Sequence, residues 1–193
     1  MQIVTERLIL NAATAEILTS ELAFLRNQSE RDGFAQALGA EVATWPPLYH
    51  DDITCAWGLE RMAAHPEWLG WGPWHVLLKR TGNLPLLVAS AGFHGIPDNE
   101  GNAEIGYSVI ESHQRQGIAT EIVAAFIKWA FDHPEVTKLT ITTLDKPELV
   151  PSSKVAQRSG FQLVGTKPSA EGTVLIYELP RSAYHSNQEA PPA

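Results

Sequence analysis

Between Glu104 and Thr120 the hydrophobic period of the chain changes, and no other stretch constrains the fold as tightly. Ile105, Tyr107 and Val109 share one side of an extended backbone in a β-branched and aromatic segment, which predicts a strand. Beyond Gly117, Ile118, Ile122, Phe126 and either Trp129 or Ala130 recur at helical spacing until His133-Pro134 closes the run. A strand therefore hands the chain to a helix through the turn Gln114-Arg115-Gln116-Gly117. The first amides of a helix lack internal partners and sit at the positive end of its dipole, so such a junction suits an anion. Glycine permits close approach of the backbone and Arg115 adds a charge. A tight turn carrying a solvated arginine is the competing reading of the same residues.

The rest of the chain fits a mixed α/β order. Residues 3–10 read as a first strand. Thr14 is placed to cap a helix bearing Ile17, Leu18, Leu22 and Leu25, and a short helix follows over 29–38, ended by Gly39. A third helix is expected from Asp51-Asp52 to His65-Pro66. Strands over 74–79 and 84–93 flank a Thr81-Gly82-Asn83 turn and predict a hairpin, and the turn 97–101 leads into the strand from Ala103 to Ile110. After the long helix come a strand over 136–144, a helix over 152–159, an extended restart at Gly160-Phe161 and a last strand over 174–179. With 193 residues and no break in composition, one domain over 1–181 is expected, followed by a polar, proline-rich tail, 182–193, that frays.

Twenty-two acidic residues against fourteen basic ones give a net charge of -8, which repels a phosphate backbone and argues against nucleic acid as a partner. A local basic spot at Arg115, with Lys154 and Arg158, suits a small phosphorylated ligand better than a polymer. The single Cys55 has no intramolecular partner for a disulfide and reads as buried filler. There is no signal-peptide core, no apolar run of membrane length and no metal-spaced Cys/His cluster, so the expectation is a cytoplasmic protein with neither membrane nor metal.

Five of the six tryptophans, at 45, 57, 68, 71 and 74, fall in one segment of thirty residues. Large aromatics dominate cores, so packing explains them. Trp45, Tyr49, Trp71 or Trp74 lining an acceptor pocket, with His94, is the functional reading.

The Gln114-x-x-Gly117-x-Ala119 run after Ala103-Glu104-Ile105-Gly106-Tyr107 resembles the coenzyme A signature of the GCN5-related N-acetyltransferases, the GNAT superfamily. Within it the chain is most similar to the branch holding the ribosomal-protein N-terminal acetyltransferases, and Thr5-Glu6-Arg7-Leu8-Ile9-Leu10 and Gly92-Phe93-His94-Gly95 fit that branch as well. The resemblance spans Leu8 to Leu179. It implies a GNAT fold: a mixed, mostly antiparallel central sheet with a splayed strand pair and helices on both faces. It further implies acetyl-coenzyme A as cofactor, with its pantetheine arm on the backbone of Tyr107, Val109 and Ile110 and its pyrophosphate on Gln114, Arg115, Gln116, Gly117, Ile118, Ala119 and Thr120.

For catalysis, the resemblance makes Glu104 the base that takes the acceptor's proton, although an exposed strand carboxylate in a salt bridge fits equally. His94 is a lesser candidate. Ser152 matches a serine near the coenzyme sulfur and is a candidate proton donor, or else an ordinary helix N-cap. Two positions depart from the pattern. Ala156 stands where many members have a tyrosine, and Leu149 where the branch commonly has an asparagine. The implied activity is direct acetyl transfer in a ternary complex to a primary amine, either a protein N-terminus or a small amine. Nothing near Cys55 suggests a covalent intermediate. A coenzyme A-binding sensor that lost turnover, and a structural protein without ligand, are the other readings. The last strand and the tryptophan-rich helices are the surfaces a homodimer would use.

Overall fold

The expected strand over 3–10 is broken into two. In the computed structural model, which describes residues 1–184, β1 (Gln2–Val4) and β2 (Leu8–Ala12) run antiparallel with Val4 opposite Ile9. Thr5 makes the break: its amide donates to the Leu8 carbonyl at 3.0 Å, while its Oγ1 accepts from the Leu8 amide at 3.0 Å. A hydroxyl that bonds its own backbone competes with the ladder and turns the chain. The described residues cluster into two compact units, one comprising residues 1–94 and 107–122, the other 95–106 and 123–184.

In the first unit the strand order is β1-β2-β3-β4, antiparallel throughout, with β3 Pro73–Leu78 and β4 Leu86–Phe93 forming the expected hairpin. Gly92, at φ 154°, allows β4 to press on the chain entering β3, because a Cβ there would lie 2.3 Å from the Gly72 carbonyl oxygen. Three helices accompany these strands: α1 (Ala15–Arg26), α2 (Arg31–Leu38) and α3 (Asp52–Ala64). Their ends are where the capping residues predict. Thr14 accepts from the Ile17 amide, Gly39 adopts a left-handed conformation after α2, and Asp51 accepts from the Thr54 amide at 2.8 Å. Leu8, Leu10, Leu18, Phe24, Phe34, Trp74, Val76 and Leu87 form the buried interior.

That interior also holds a carboxylate. Glu21 on α1 is 0% exposed and is surrounded by donors. Its Oε1 accepts from Trp45 Nε1 at 2.8 Å and His50 Nε2 at 2.7 Å, and its Oε2 from His75 Nε2 at 2.9 Å. An ionised carboxylate only accepts, so both imidazoles carry their proton on Nε2 here. The Nδ1 of His75 is buried without a hydrogen-bond partner. Burial alone would raise the Glu21 carboxyl, but the charge of His75 and the hydrogen bonds from His50 and His75 outweigh it and hold it well below the usual carboxylate range. Cys55 Sγ lies 3.6 Å from Oε2, and burial together with the Glu21 charge pushes its thiol up. An inert, buried Cys55 is what the sequence suggests. Among the described residues no Cys, His, Asp and Glu group is arranged to hold a metal ion.

In the second unit the order is β5-β6-β8-β7, with β5 (Asn102–Val109) parallel to β6 (Lys138–Leu144) and β8 (Gly172–Pro180) antiparallel to both β6 and β7 (Gln162–Ser169). The β5–β6 ladder covers three pairs and ends at Glu104 opposite Thr140, although β6 goes on pairing with β8 to Leu144. Helix α4 (Ile118–Phe131) begins in the first unit and ends in the second, and α5 (Val150–Arg158) precedes β7. Arg181 closes the end of α4: Nε donates to Val136 O and Nη1 to Phe131 O, each at 2.7 Å, Nη2 donates to His133 O, and the guanidinium lies over the Phe131 ring. Residues 181–184, where the expected tail begins, make one helical turn with the Tyr184 ring 5.1 Å from that of Phe131. Residues 185–193 lie outside the described residues. Among the described residues no helix is long and apolar enough to cross a membrane. The architecture is mixed α/β with mostly antiparallel pairing, as expected.

Glu21→Ala removes the acceptor of three buried donors and should destabilise the protein by about 3–5 kcal/mol in urea melts. Acid supplies a second check. The folded value of Glu21 lies below the unfolded one, so its contribution is complete above the ordinary value of 4.5 and is lost as pH falls below it. Stability of the native chain should therefore drop more steeply between about pH 5 and about pH 3 than that of Glu21→Gln.

Candidate functional site

The turn after β5 is held open by bonds to its carbonyls and side chains. Gln114 Nε2 donates to Val109 O at 3.0 Å, Gln116 Nε2 donates to Ser112 O at 3.1 Å, and Arg7 Nη1 donates to Gln116 O at 2.9 Å. Arg115 (φ 59°) and Gly117 (φ 80°) take the left-handed conformation, which folds the chain back into the helix axis. Helix α4 makes its first internal bond from the Glu121 amide to Gly117 O at 3.0 Å. The amides of Ile118, Ala119 and Thr120 consequently have no acceptor within the helix and lie at the positive end of its dipole. Gln114, Arg115, Gln116 and Gly117 are exposed, and Ile118 anchors the turn by its buried side chain. A helix start with unpaired amides beside an exposed turn is a candidate anion cradle.

The helix end also carries Glu121, which would repel an anion if left uncompensated. Arg7 Nε bonds Glu121 Oε2 at 2.7 Å, the Arg7 amide bonds Oε1 at 3.0 Å, and Thr5 Oγ1 bonds Oε1 at 2.5 Å. Partial burial would raise this carboxyl, but the Thr5 and Arg7 bonds outweigh it and keep it below its ordinary value. Arg7 and Glu121 were not among the residues expected at the site. The Thr5-Glu6-Arg7-Leu8 motif was the signal, and only the fold shows what it docks against.

Tyr107 and Val109, two of the expected pantetheine residues, lie on β5. Ile110, the third, follows the strand; its amide donates to Val88 O at 2.9 Å and its carbonyl accepts from the His113 amide at 3.0 Å. Ser108 Oγ donates to Leu48 O at 2.7 Å and ties the loop between α2 and α3 to this strand.

The aromatic candidates separate by burial. Trp74 is fully buried and its Nε1 donates to Gly70 O at 2.8 Å, and Trp45 is buried and bound to Glu21, so both belong to the core. Trp71 is also buried, its ring 5.0 Å from Phe93. Tyr49, at φ 61° and 54% exposed, and the exposed His94 remain at the surface of the first unit.

Glu104 and Ser152 belong to the second unit. Thr142 Oγ1 donates to Glu104 Oε1 at 2.6 Å across from β6, so this carboxylate sits in a cross-strand hydrogen bond and is only partly exposed. Ser152 is the third residue of α5 and not its cap. That position is taken by Leu149, which has no side-chain capping bond, because Pro147 starts the turn early and Pro151 favours the first helical turn. Ala156 is fully buried.

The profile of the Acetyltransferase (GNAT) domain matches residues 21–162. Over 169 residues, 83% of this chain and 82% of the other, the chain is 23% identical to the uncharacterized N-acetyltransferase YoaA of Bacillus subtilis (strain 168). It is 36% identical to the ribosomal-protein-serine acetyltransferase of Escherichia coli (strain K12) over 86 residues, 44% of this chain and 46% of that one. In fold it resembles RimL, a ribosomal L7/L12 alpha-N-protein acetyltransferase solved with coenzyme A, with a TM-score of 0.64 at 20% identity over 94% of this chain and 98% of RimL. The domain match, the Gln114–Thr120 cradle and the mixed antiparallel fold lead to one conclusion: the chain belongs to the GNAT acetyltransferase family.

Proposed function

We propose that this chain is an acetyl-coenzyme A-dependent N-acetyltransferase that moves an acetyl group directly to a primary amine. The observation that carries the reading is the helix-end cradle Gln114–Thr120 within a matched GNAT domain. The matched region, residues 21–162, supports reading residues 1–181 as one domain. Acetyl-coenzyme A supplies the acyl group as an activated thioester. The amides of Gly117 to Thr120 bind its pyrophosphate through unpaired donors and the helix dipole. Tyr107 and Val109 offer strand-like backbone groups to the extended arm.

In the transfer the amine nitrogen bonds the thioester carbon, the carbon–sulfur bond breaks, and the amine loses a proton while the thiolate gains one. Glu104 is the group assigned to take the amine proton, with Thr142 orienting its carboxylate. Ser152 is assigned to protonate the thiolate. Tyr49 and His94 are the exposed residues assigned to the acceptor. By analogy with the ribosomal-protein acetyltransferases, a protein N-terminus is the favoured acceptor, and small amines are the alternative.

A coenzyme A sensor is the second reading, favoured by Leu149 and by Ala156, whose full burial leaves no phenol at that position. Release of free thiol from acetyl-coenzyme A in the presence of an N-terminal-serine peptide, an aminoglycoside or a polyamine separates the two. Acetylation of at least one amine is the expected result, and tight binding without turnover across the set would favour the sensor. Gly117→Val should raise the acetyl-coenzyme A Kd about tenfold or more, read by calorimetry, because a β-branched residue does not hold the left-handed conformation of Gly117, φ 80°. Glu104→Gln should lower kcat roughly 100-fold or more while leaving acetyl-coenzyme A affinity unchanged.

A further inference from the structure

The function argued above leaves the Thr5-Glu6-Arg7-Leu8 motif without a role, yet Arg7 reaches the cradle from more than a hundred residues away in sequence. Its backbone is held firmly. The Arg7 carbonyl accepts from the Lys79 amide at 2.9 Å, the Arg7 amide donates to Glu121, and Lys79 Nζ bonds the Thr5 and Glu6 carbonyls. From this fixed base the guanidinium bridges Glu121 Oε2 through Nε and Gln116 O through Nη1.

The second contact carries the argument. In a trans peptide the carbonyl of one residue and the amide of the next point in opposite directions. Gln116 O and the Gly117 amide belong to one such peptide, so a Gln116 carbonyl drawn toward Arg7 turns the Gly117 amide away from Arg7. The peptide is also one that could flip at little cost, since Gly117 is free to take either sign of φ. A flip would replace an N–H donor by a carbonyl at the helix end and repel an anion. Arg7 blocks that flip, and its charge cancels Glu121 where an anion would otherwise meet a carboxylate.

We propose that Arg7 is a positioning residue for coenzyme binding, which fixes the 116–117 peptide so that the Gly117 amide serves the pyrophosphate. The proposal rests on the cofactor reading above. Lysine cannot replace it fully, because an ammonium lacks the planar fork that spans a carboxylate and a carbonyl together. Gly117 fits the same arrangement, since its φ of 80° is a conformation that side-chain-bearing residues rarely adopt.

Calorimetry with coenzyme A on the full chain tests it. Arg7→Ala should weaken binding about tenfold or more through loss of a charge-assisted bond and release of the peptide. Arg7→Lys should fold and fall between wild type and Arg7→Ala. Val76→Ala, buried in β3 and outside the cradle, should lower Tm without changing the affinity, which separates loss of the clamp from loss of stability. Unchanged affinity in both Arg7 variants, or a loss in Val76→Ala as large as in Arg7→Ala, overturns the role of Arg7. Failure of the wild-type chain to bind coenzyme A overturns the cofactor reading itself, and the proposal with it.

Discussion

The first unit is built around one buried negative charge. Glu21 collects an indole and an imidazole from the loop between α2 and α3 and a second imidazole from β3, so a single side chain of α1 joins three segments that share no local sequence relation. A carboxylate in such a place would cost several kcal/mol if unpaired, and it is tolerable because each of its oxygens accepts from at least one N–H donor. Removing water from the network also sharpens direction. Hydrogen bonds fix angles where apolar packing fixes only proximity, and the loop over 45–50 is held at both ends by the same carboxylate oxygen. Ser108 holds the middle of that loop through Leu48 O, so β5, with its candidate cofactor residues, and the exposed Tyr49 share one supported frame.

The cradle at the start of α4 follows another logic. Its carbonyls and glutamine side chains are engaged, whereas the first amides of the helix are left without internal acceptors. Such an arrangement keeps donors in place before any ligand arrives, which avoids ordering the loop upon binding. The amide and carbonyl of Ile110 serve the exit from β5.

Much of this was legible in the residues themselves. The change of period around Gly117, the caps at Thr14, Gly39 and Asp51, and the hairpin around Gly82 are local signals, and local hydrogen bonding enforces them. The Glu21 network was not legible, because residues 21, 45, 50 and 75 have no common spacing and Glu21 looks like any polar residue of an amphipathic helix. Thr5 broke an apparently continuous strand through a side-chain bond that hydrophobic alternation does not report. Ser152 moved from cap to helix interior because two prolines began the turn before it. Tryptophan density suggested both a core and a pocket, and only burial assigned Trp45 and Trp74 to the core.

Arg181 adds a consequence for the order in which the chain is made. Helix α4 ends at Phe131, but the Phe131 carbonyl, like those of His133 and Val136 after it, accepts from a guanidinium some fifty residues later. A ribosome releases Phe131 well before Arg181, so during synthesis these three carbonyls lack that donor until the last described strand has emerged. Its amino end is met by Arg7, which is made first. Helix α4 thus acquires its two closures from opposite ends of the translation interval.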